Sequence, residues 1–202
     1  MAAYSPVGAA DLAASYVNLQ NPGTYNAAPG VAPSFNTSTG WTFNGTSQWL
    51  STGYVMPRTG TYLFRYANAS GTDGRHGALY LTVTPRFFGT RYWENGGGSV
   101  TAGTSTTLGV IGASSKTAYH NGASVGTISA GTTADTLAFG IGARAGFAPF
   151  AATDGLAAVF YSTTLSGAEM ATLTTRMNAL PIASAKGLPI IAHHHHAVFG
   201  GG

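Results

Sequence analysis

Asp154-Gly-Leu-Ala-Ala-Val-Phe-Tyr-Ser-Thr-Thr-Leu-Ser-Gly-Ala-Glu169 carries a strand, a turn and the start of a helix in direct succession. Leu156 to Tyr161 is almost entirely apolar, the signature of a strand covered on both faces, and it is expected to lie centrally in a sheet. Ser166 is followed three residues later by Glu169, the spacing of a capping box, in which each residue satisfies a backbone N–H of the other. Met170, Leu173, Met177 and Leu180 then recur at three- and four-residue intervals until Pro181, which cannot continue a helix. No other segment has convincing helical period. The spacing therefore predicts one short amphipathic helix packed on a sheet, with the methionine stripe read as core packing rather than as a partner groove.

Upstream of that stretch, strand-like runs recur between Gly-, Asn- and Pro-bearing turns at the spacing of a sandwich or barrel. Thr61–Tyr66 and Ala78–Thr84 are rich in aromatic and β-branched residues. Tyr119-His-Asn-Gly122 holds an Asn-Gly pair, a strong hairpin signal, with Ala123–Ser129 as the returning strand. Leu137–Gly142 alternates apolar with small residues and reads as a further strand. The fold class is all-β: a two-sheet antiparallel β-sandwich with one short α-helix towards the C-terminus.

Four blocks, in order, resemble those of laminin-G-like, concanavalin-A-like jelly-roll domains. They are Trp41-Thr-Phe-Asn-Gly-Thr-Ser-Gln-Trp-Leu50, Ala118-Tyr-His-Asn-Gly122, Leu137-Ala-Phe-Gly-Ile-Gly-Ala-Arg144 and the Asp154–Glu169 stretch itself. The resemblance covers roughly residues 11 to 180. It implies two packed antiparallel sheets of six or seven strands each, and it places Trp41 and Trp49 in the core. Residues 1–180 are read as the sandwich domain and 181–202 as a tail that docks on this subunit or on a neighbour.

Charge is the unusual property. Of 202 residues only 7% are charged, against about 25% in ordinary soluble domains. Thr, Ser, Gly and Asn wet the surface instead, and few like charges stand against close packing on other subunits. There is no cysteine, which removes thiol catalysis and zinc–thiolate sites. The net charge of +3 is small, and Arg58, Arg65, Arg75, Arg86 and Arg91 are interleaved with apolar residues. A nucleic-acid partner is not expected. Nor is membrane insertion, since no run approaches a spanning length. Met1 to Ala10 has neither the basic stretch nor the apolar core of a signal peptide.

The fold hosts lectins, glycosidases and virion parts alike, so the residues must choose among them. Glycoside hydrolysis needs two carboxylates flanking one bond. The two glutamates, Glu94 and Glu169, are far apart in sequence, and Glu169 belongs to a helix cap. The chain is accordingly read as not an enzyme. Asp73, Asp135 and Asp154 stand alone, too few for a tight calcium site. Asp154, beside Gly155, is read as a turn cap, and His76 and His120 as structural.

For sugar contact the candidates are Arg91, Tyr92, Trp93 and Asn95, next to Gly96-Gly-Gly98, where two aromatics and planar polar groups would sit at a loop tip. The competing reading makes Tyr92 and Trp93 strand residues with one ring buried. No cofactor is expected, with one exception in the tail. His193 and His195 share a face of an extended strand and would hold a transition metal in an oligomer; this arrangement resembles the tips of some trimeric phage fibres.

Two functions fit these features. The first is a structural or adsorption protein of a bacteriophage-type particle (decoration, head-fibre or tail-fibre component), homo-oligomeric or bound to other virion subunits and touching cell-surface glycans. The second is a stand-alone carbohydrate-binding module or lectin of a secreted bacterial protein. The implied location is virion or extracellular.

Overall fold

Aromatic and β-branched side chains at alternate positions favour a pleated, half-buried surface, and much of this chain adopts one. The computed structural model describes residues 1–57, 59–70, 74–75, 84–88, 90–95, 98–102, 108–127, 137–144, 147–150 and 152–181. Of residues 70–102, Val100 apart, and of 144–150, the description is of the backbone.

The elements run β1 (Ala2–Tyr4), α1 (Leu12–Ser15), β2 (Ala28–Val31), β3 (Ser34–Asn36), β4 (Gly40–Asn44), β5 (Trp49–Ser51) and β6 (Thr61–Ser70). There follow β7 (Gly74–Arg75), β8 (Thr84–Phe88), β9 (Thr90–Asn95), β10 (Gly98–Ala102), β11 (Leu108–Ser114), β12 (Thr117–His120) and β13 (Ala123–Thr127). The chain closes with β14 (Gly140–Ile141), β15 (Ala143–Arg144), β16 (Phe147–Phe150), β17 (Ala152–Tyr161) and α2 (Gly167–Ala179).

One layer is an eight-stranded sheet in the order β13-β12-β11-β6-β17-β4-β3, with β1 also on β17. The other is in two parts, β14-β5-β2 and the six-stranded β10-β9-β8-β7-β16-β15. Pairing is antiparallel except between β16 and β7. The layers enclose a core of Tyr4, Trp41, Phe43, Tyr62, Phe64, Tyr66, Ile111 and Phe160 from the large sheet and Leu50, Tyr54, Met56, Phe139 and Ile141 from the other side. Trp41 is its hub: the indole lies within ring-contact distance of Tyr4, Tyr16 and Phe43, and its N–H donates to the Ser15 hydroxyl at 2.7 Å.

The all-β sandwich, the central strand over Leu156–Tyr161 and the Asn121-Gly122 hairpin all stand as the sequence predicts. Three expectations change. The strand over Leu137–Gly142 shortens to Gly140–Ile141, with 137–139 left outside it, and Gly142 at φ +84° breaks the sheet before β15. A second helix, α1, is too short to show a period; Asp11 caps it by accepting from the Ala14 N–H at 2.7 Å. Asp154-Gly155 is no turn but the interior of β17. Any side chain at Gly155 would meet the rings of Trp41, Phe43 and Phe64 at 3.2–3.3 Å, so the glycine is what lets three aromatics close over the strand.

The outer face of the large sheet is covered by α2. Met170 and Met177 pack on Leu63, Val110, Tyr119 and Ala157, confirming the stripe as core. The predicted capping box forms: Ser166 N–H and Oγ–H both donate to the Glu169 carboxylate at 2.7 Å. At its other end the helix meets Arg65, a buried residue of β6. The guanidinium donates through Nη1 to the Leu180 carbonyl at 2.8 Å and through Nη2 to that of Asn178 at 3.3 Å. A cation thus faces the negative end of the helix dipole, and burial lowers its pKa by opposing its charge. No helix among the described residues is long and apolar enough to cross a membrane.

Replacing Arg65 with Met should lower stability by about 1–3 kcal/mol, the worth of hydrogen bonds from a charged donor. In hydrogen exchange the amides of the last turn of α2 should lose protection first.

Candidate functional site

Arg91, Tyr92, Trp93 and Asn95 lie in strand β9, not at a loop tip. Thr90–Asn95 has the composition of a strand, and the glycines that follow serve the return to β10, where Gly98 stands opposite Asn95. β9 is the middle strand of a three-strand meander. On one side Arg86, Pro85 and Thr84 oppose Tyr92, Trp93 and Glu94; on the other stand Thr101, Val100 and Ser99.

Side-chain positions alternate between faces of a sheet, and directly opposed residues share one. Val100 packs against the core. Its face therefore carries positions 91, 93 and 95, and the opposite face carries 92 and 94. The register splits the four sequence candidates: Tyr92 falls on the face away from the core, and Arg91, Trp93 and Asn95 on the other. Two cross-strand rows occupy Tyr92's face, Arg86–Tyr92–Thr101 and Thr84–Glu94–Ser99. By register, that face thus carries an aromatic residue together with charged and hydroxyl-bearing ones, a composition of the kind that contacts sugars. Arg86 and Thr101 escaped sequence reading because only cross-strand register makes them neighbours of Tyr92.

A different place has described side chains and is concave. A cleft of about 240 Å³ between the end of β17 and α2 is lined by Tyr161, Leu165, Glu169, Thr172, Leu173 and Arg176. Its apolar floor has Glu169 and Arg176 at positions two turns apart on one helix. The Ser166 backbone N–H, and then the Ser166 hydroxyl, hold the Glu169 carboxyl below the usual glutamate range, keeping it an acceptor at neutral pH.

The other carboxylates described with side chains are in structural use. Asp11 caps α1. Asp154 accepts from the Thr42 hydroxyl at 2.6 Å and the Asn68 amide at 2.7 Å, bridging β4, β17 and β6. This replaces the turn-cap reading. Of the remaining three carboxylate residues, Glu94 is on β9, and Asp73 and Asp135 lie outside the described residues, as does His76. His120 ends β12 opposite Ile111. Trp41 is in the core as expected, whereas Trp49 is half-buried, its indole against the backbone of Gly30 on β2. The tail from residue 182 on, with His193 and His195, lies outside the described residues. Among those that are described, no group of three or more His, Cys, Asp or Glu side chains is placed to hold a metal ion.

This architecture is a two-layer β-sandwich, and solved structures match it. Trypanosoma rangeli sialidase matches with a TM-score of 0.59 and 15% identity over 89% of this chain and 33% of the sialidase. The receptor-binding domain of botulinum neurotoxin D matches with a TM-score of 0.54 and 9% identity over 87% of this chain and 52% of that one. A botulinum neurotoxin type C structure, described as dependent on two ganglioside molecules for cell entry, gives a TM-score of 0.56 at 8% identity, over 88% of this chain and 51% of the other. This chain thus spans about a third of the sialidase and about half of the toxin chains. At such identities the likeness is one of fold. No family model matches the chain, and no curated protein does.

Hydrogen exchange checks the capping box. Because the Glu169 pKa is depressed by folding, the helix support it gives is complete above the ordinary glutamate range and is lost as pH falls through the depressed value. The protection of amides in the first turn of α2, relative to their intrinsic exchange at each pH, should fall in acid over that interval, and Glu169→Gln should abolish that fall.

Proposed function

We propose that this chain is a non-catalytic, glycan-contacting sandwich on the surface of a bacteriophage-type particle, as a decoration, head-fibre or tail-fibre component. The observation that carries the glycan reading is the Arg86–Tyr92–Thr101 row beside Thr84–Glu94–Ser99 on the face of β8–β10 away from the core. The likeness in fold to parts of a sialidase and of a ganglioside-dependent toxin supports it. The structural bonds of Asp11, Asp154 and Glu169 support the non-enzymatic part, because most glycoside hydrolases use a free pair of carboxyl groups flanking the bond. The particle reading rests on the very low charge and the lack of cysteine. It places the protein on a virion or otherwise outside the cell, in contact with copies of itself or other subunits. Residues 1–180 form the sandwich domain, and 181–202 the docking tail whose His193 and His195 take a transition metal on assembly. A stand-alone carbohydrate-binding module is the competing reading, favoured by the likeness to glycan-handling domains.

A glycan array followed by calorimetry on the purified chain tests the site. Tyr92→Ala should weaken the best glycan about tenfold, the equivalent of ~1.4 kcal/mol, with the melting temperature unchanged. Loss of binding in Tyr161→Ala or Arg176→Ala with Tyr92→Ala unaffected would move the site to the α2 cleft. Hydrolysis of any bound glycan by the wild type, abolished in Glu94→Gln, would overturn the non-enzymatic reading. Electron microscopy of the native source decides between particle subunit and free module.

A further inference from the structure

The cleft beside α2 follows one stripe of the helix. Leu165, Glu169, Thr172, Leu173 and Arg176 line it, and their spacing of three and four residues sets them on one side. Leu180 comes next on that stripe, and like Leu165 and Leu173 it is only partly buried. Both bonds from Ser166 to Glu169 end on Oε2, which leaves Oε1 for another donor. Among the described residues Arg176 has no hydrogen-bond or ion-pair partner. The helix ends at Leu180, whose backbone is extended at φ −62° and ψ 129°, and Pro181 follows. Next in sequence comes Ile182-Ala-Ser-Ala-Lys-Gly-Leu188, outside the described residues. Its even positions hold Ile182, Ser184, Lys186 and Leu188, and its odd positions only alanine and glycine.

We infer that residues 182–188 turn back along α2 and fill the cleft of their own chain. The inference rests on the reading of 181–202 as a docking tail and names its seat. An extended strand advances about 3.3 Å per residue and a helix about 1.5 Å, so a strand running back from Pro181 passes about 2.2 helical residues with each of its own. That ratio sets Ile182 at the last turn of α2, Ser184 beside Thr172 and Leu173, Lys186 beside Glu169 and Leu188 beside Leu165. Alternate positions of a strand share a face, so these four side chains all meet the stripe. Lys186, the one charged residue of the segment, then meets the one carboxylate of the cleft, and apolar residues meet apolar ones at both ends. The guanidinium of Arg176 supplies donors for the carbonyls of a strand that has no sheet partner.

Hydrogen exchange read by mass spectrometry on the full chain tests it. Amides of residues 183–188 should exchange about tenfold or more slower than in a free peptide of the same sequence. Lys186→Glu, which sets two carboxylates together, should remove most of that protection at an unchanged melting temperature, and Lys186→Arg should keep it. Because the chain has no cysteine, a disulfide reports position. Thr172→Cys/Ser184→Cys should oxidise to a bridge within one chain, and faster than Ser38→Cys/Ser184→Cys, whose first partner is an exposed turn residue between β3 and β4. Exchange of 183–188 at the rate of the free peptide overturns the inference and the docking-tail reading together. Protection that Lys186→Glu leaves intact, or a Ser38 pair that closes as fast, overturns the inference alone and moves the tail to another seat. A disulfide-linked dimer in place of the internal bridge also overturns it, by seating the tail on a neighbour.

Discussion

The ladder between β6 and β17 is the constraint on which the other features depend. It joins residues about ninety positions apart in sequence and runs from Thr61↔Tyr161 to Ser70↔Ala152. Two register shifts, at Ala152/Asp154 and at Gly155/Ala157, decide which side chains of β17 face which layer. Below the second shift Gly155 serves the aromatic core; above it Ala157 turns to the outer face opposite Arg65. A small residue there leaves room for the guanidinium beneath the helix, while Phe160 opposite Tyr62 fills the core on the other side. The bridge from Thr42 through Asp154 to Asn68 continues the same alignment across three strands. Without the bulge the alternation would send alanines and aromatics to the wrong layers.

A chain with so few charges still has to satisfy buried polar groups, and here hydroxyls do it. Thr61 and Ser114, both buried and on adjacent strands, bond to each other at 3.0 Å, and their oxygens also receive the Leu165 N–H and donate to the carbonyls of Thr163 and Leu165. That knot fixes the loop between β17 and α2, so the helix is held at its start by serine and threonine and at its end by Arg65. Thr52 does similar work for the second layer, donating to the Phe139 carbonyl at 2.9 Å. Short, neutral groups of this kind can be buried without the desolvation cost of an ion pair.

Features encoded locally were legible in the sequence. The capping box at Ser166 and Glu169, the methionine stripe and the Asn121-Gly122 turn each need only a few consecutive residues to declare themselves, and each forms. The apolar run of β17 announced its central place for the same reason. What could not be read depends on distant partners. Asp154-Gly155 has the composition of a turn, and only the rings of Trp41, Phe43 and Phe64 show why a glycine is needed inside a strand. Trp49 looks as much like core as Trp41, yet its place on β5, against Gly30 of the edge strand β2, leaves it half-buried. On β9 the alternation itself was readable, but which half of it faces the core follows from Val100 on the neighbouring strand. The sandwich was therefore legible, and the composition of its candidate sugar face was not.

The long span of the central ladder bears on how the protein is made. β17 hydrogen-bonds to β1, β4 and β6, so three strands from the first part of the chain share one partner from its last quarter. On the ribosome β6 is translated well before that partner and can pair only with β11 in the meantime, while β1 and β4 emerge with open edges. The large sheet closes once residue 161 has cleared the exit tunnel, and α2 docks after it, because Arg65 and Ala157 must stand together before the helix has a seat. Closure of the large sheet thus waits for β17, and its early strands have to stay soluble while they wait.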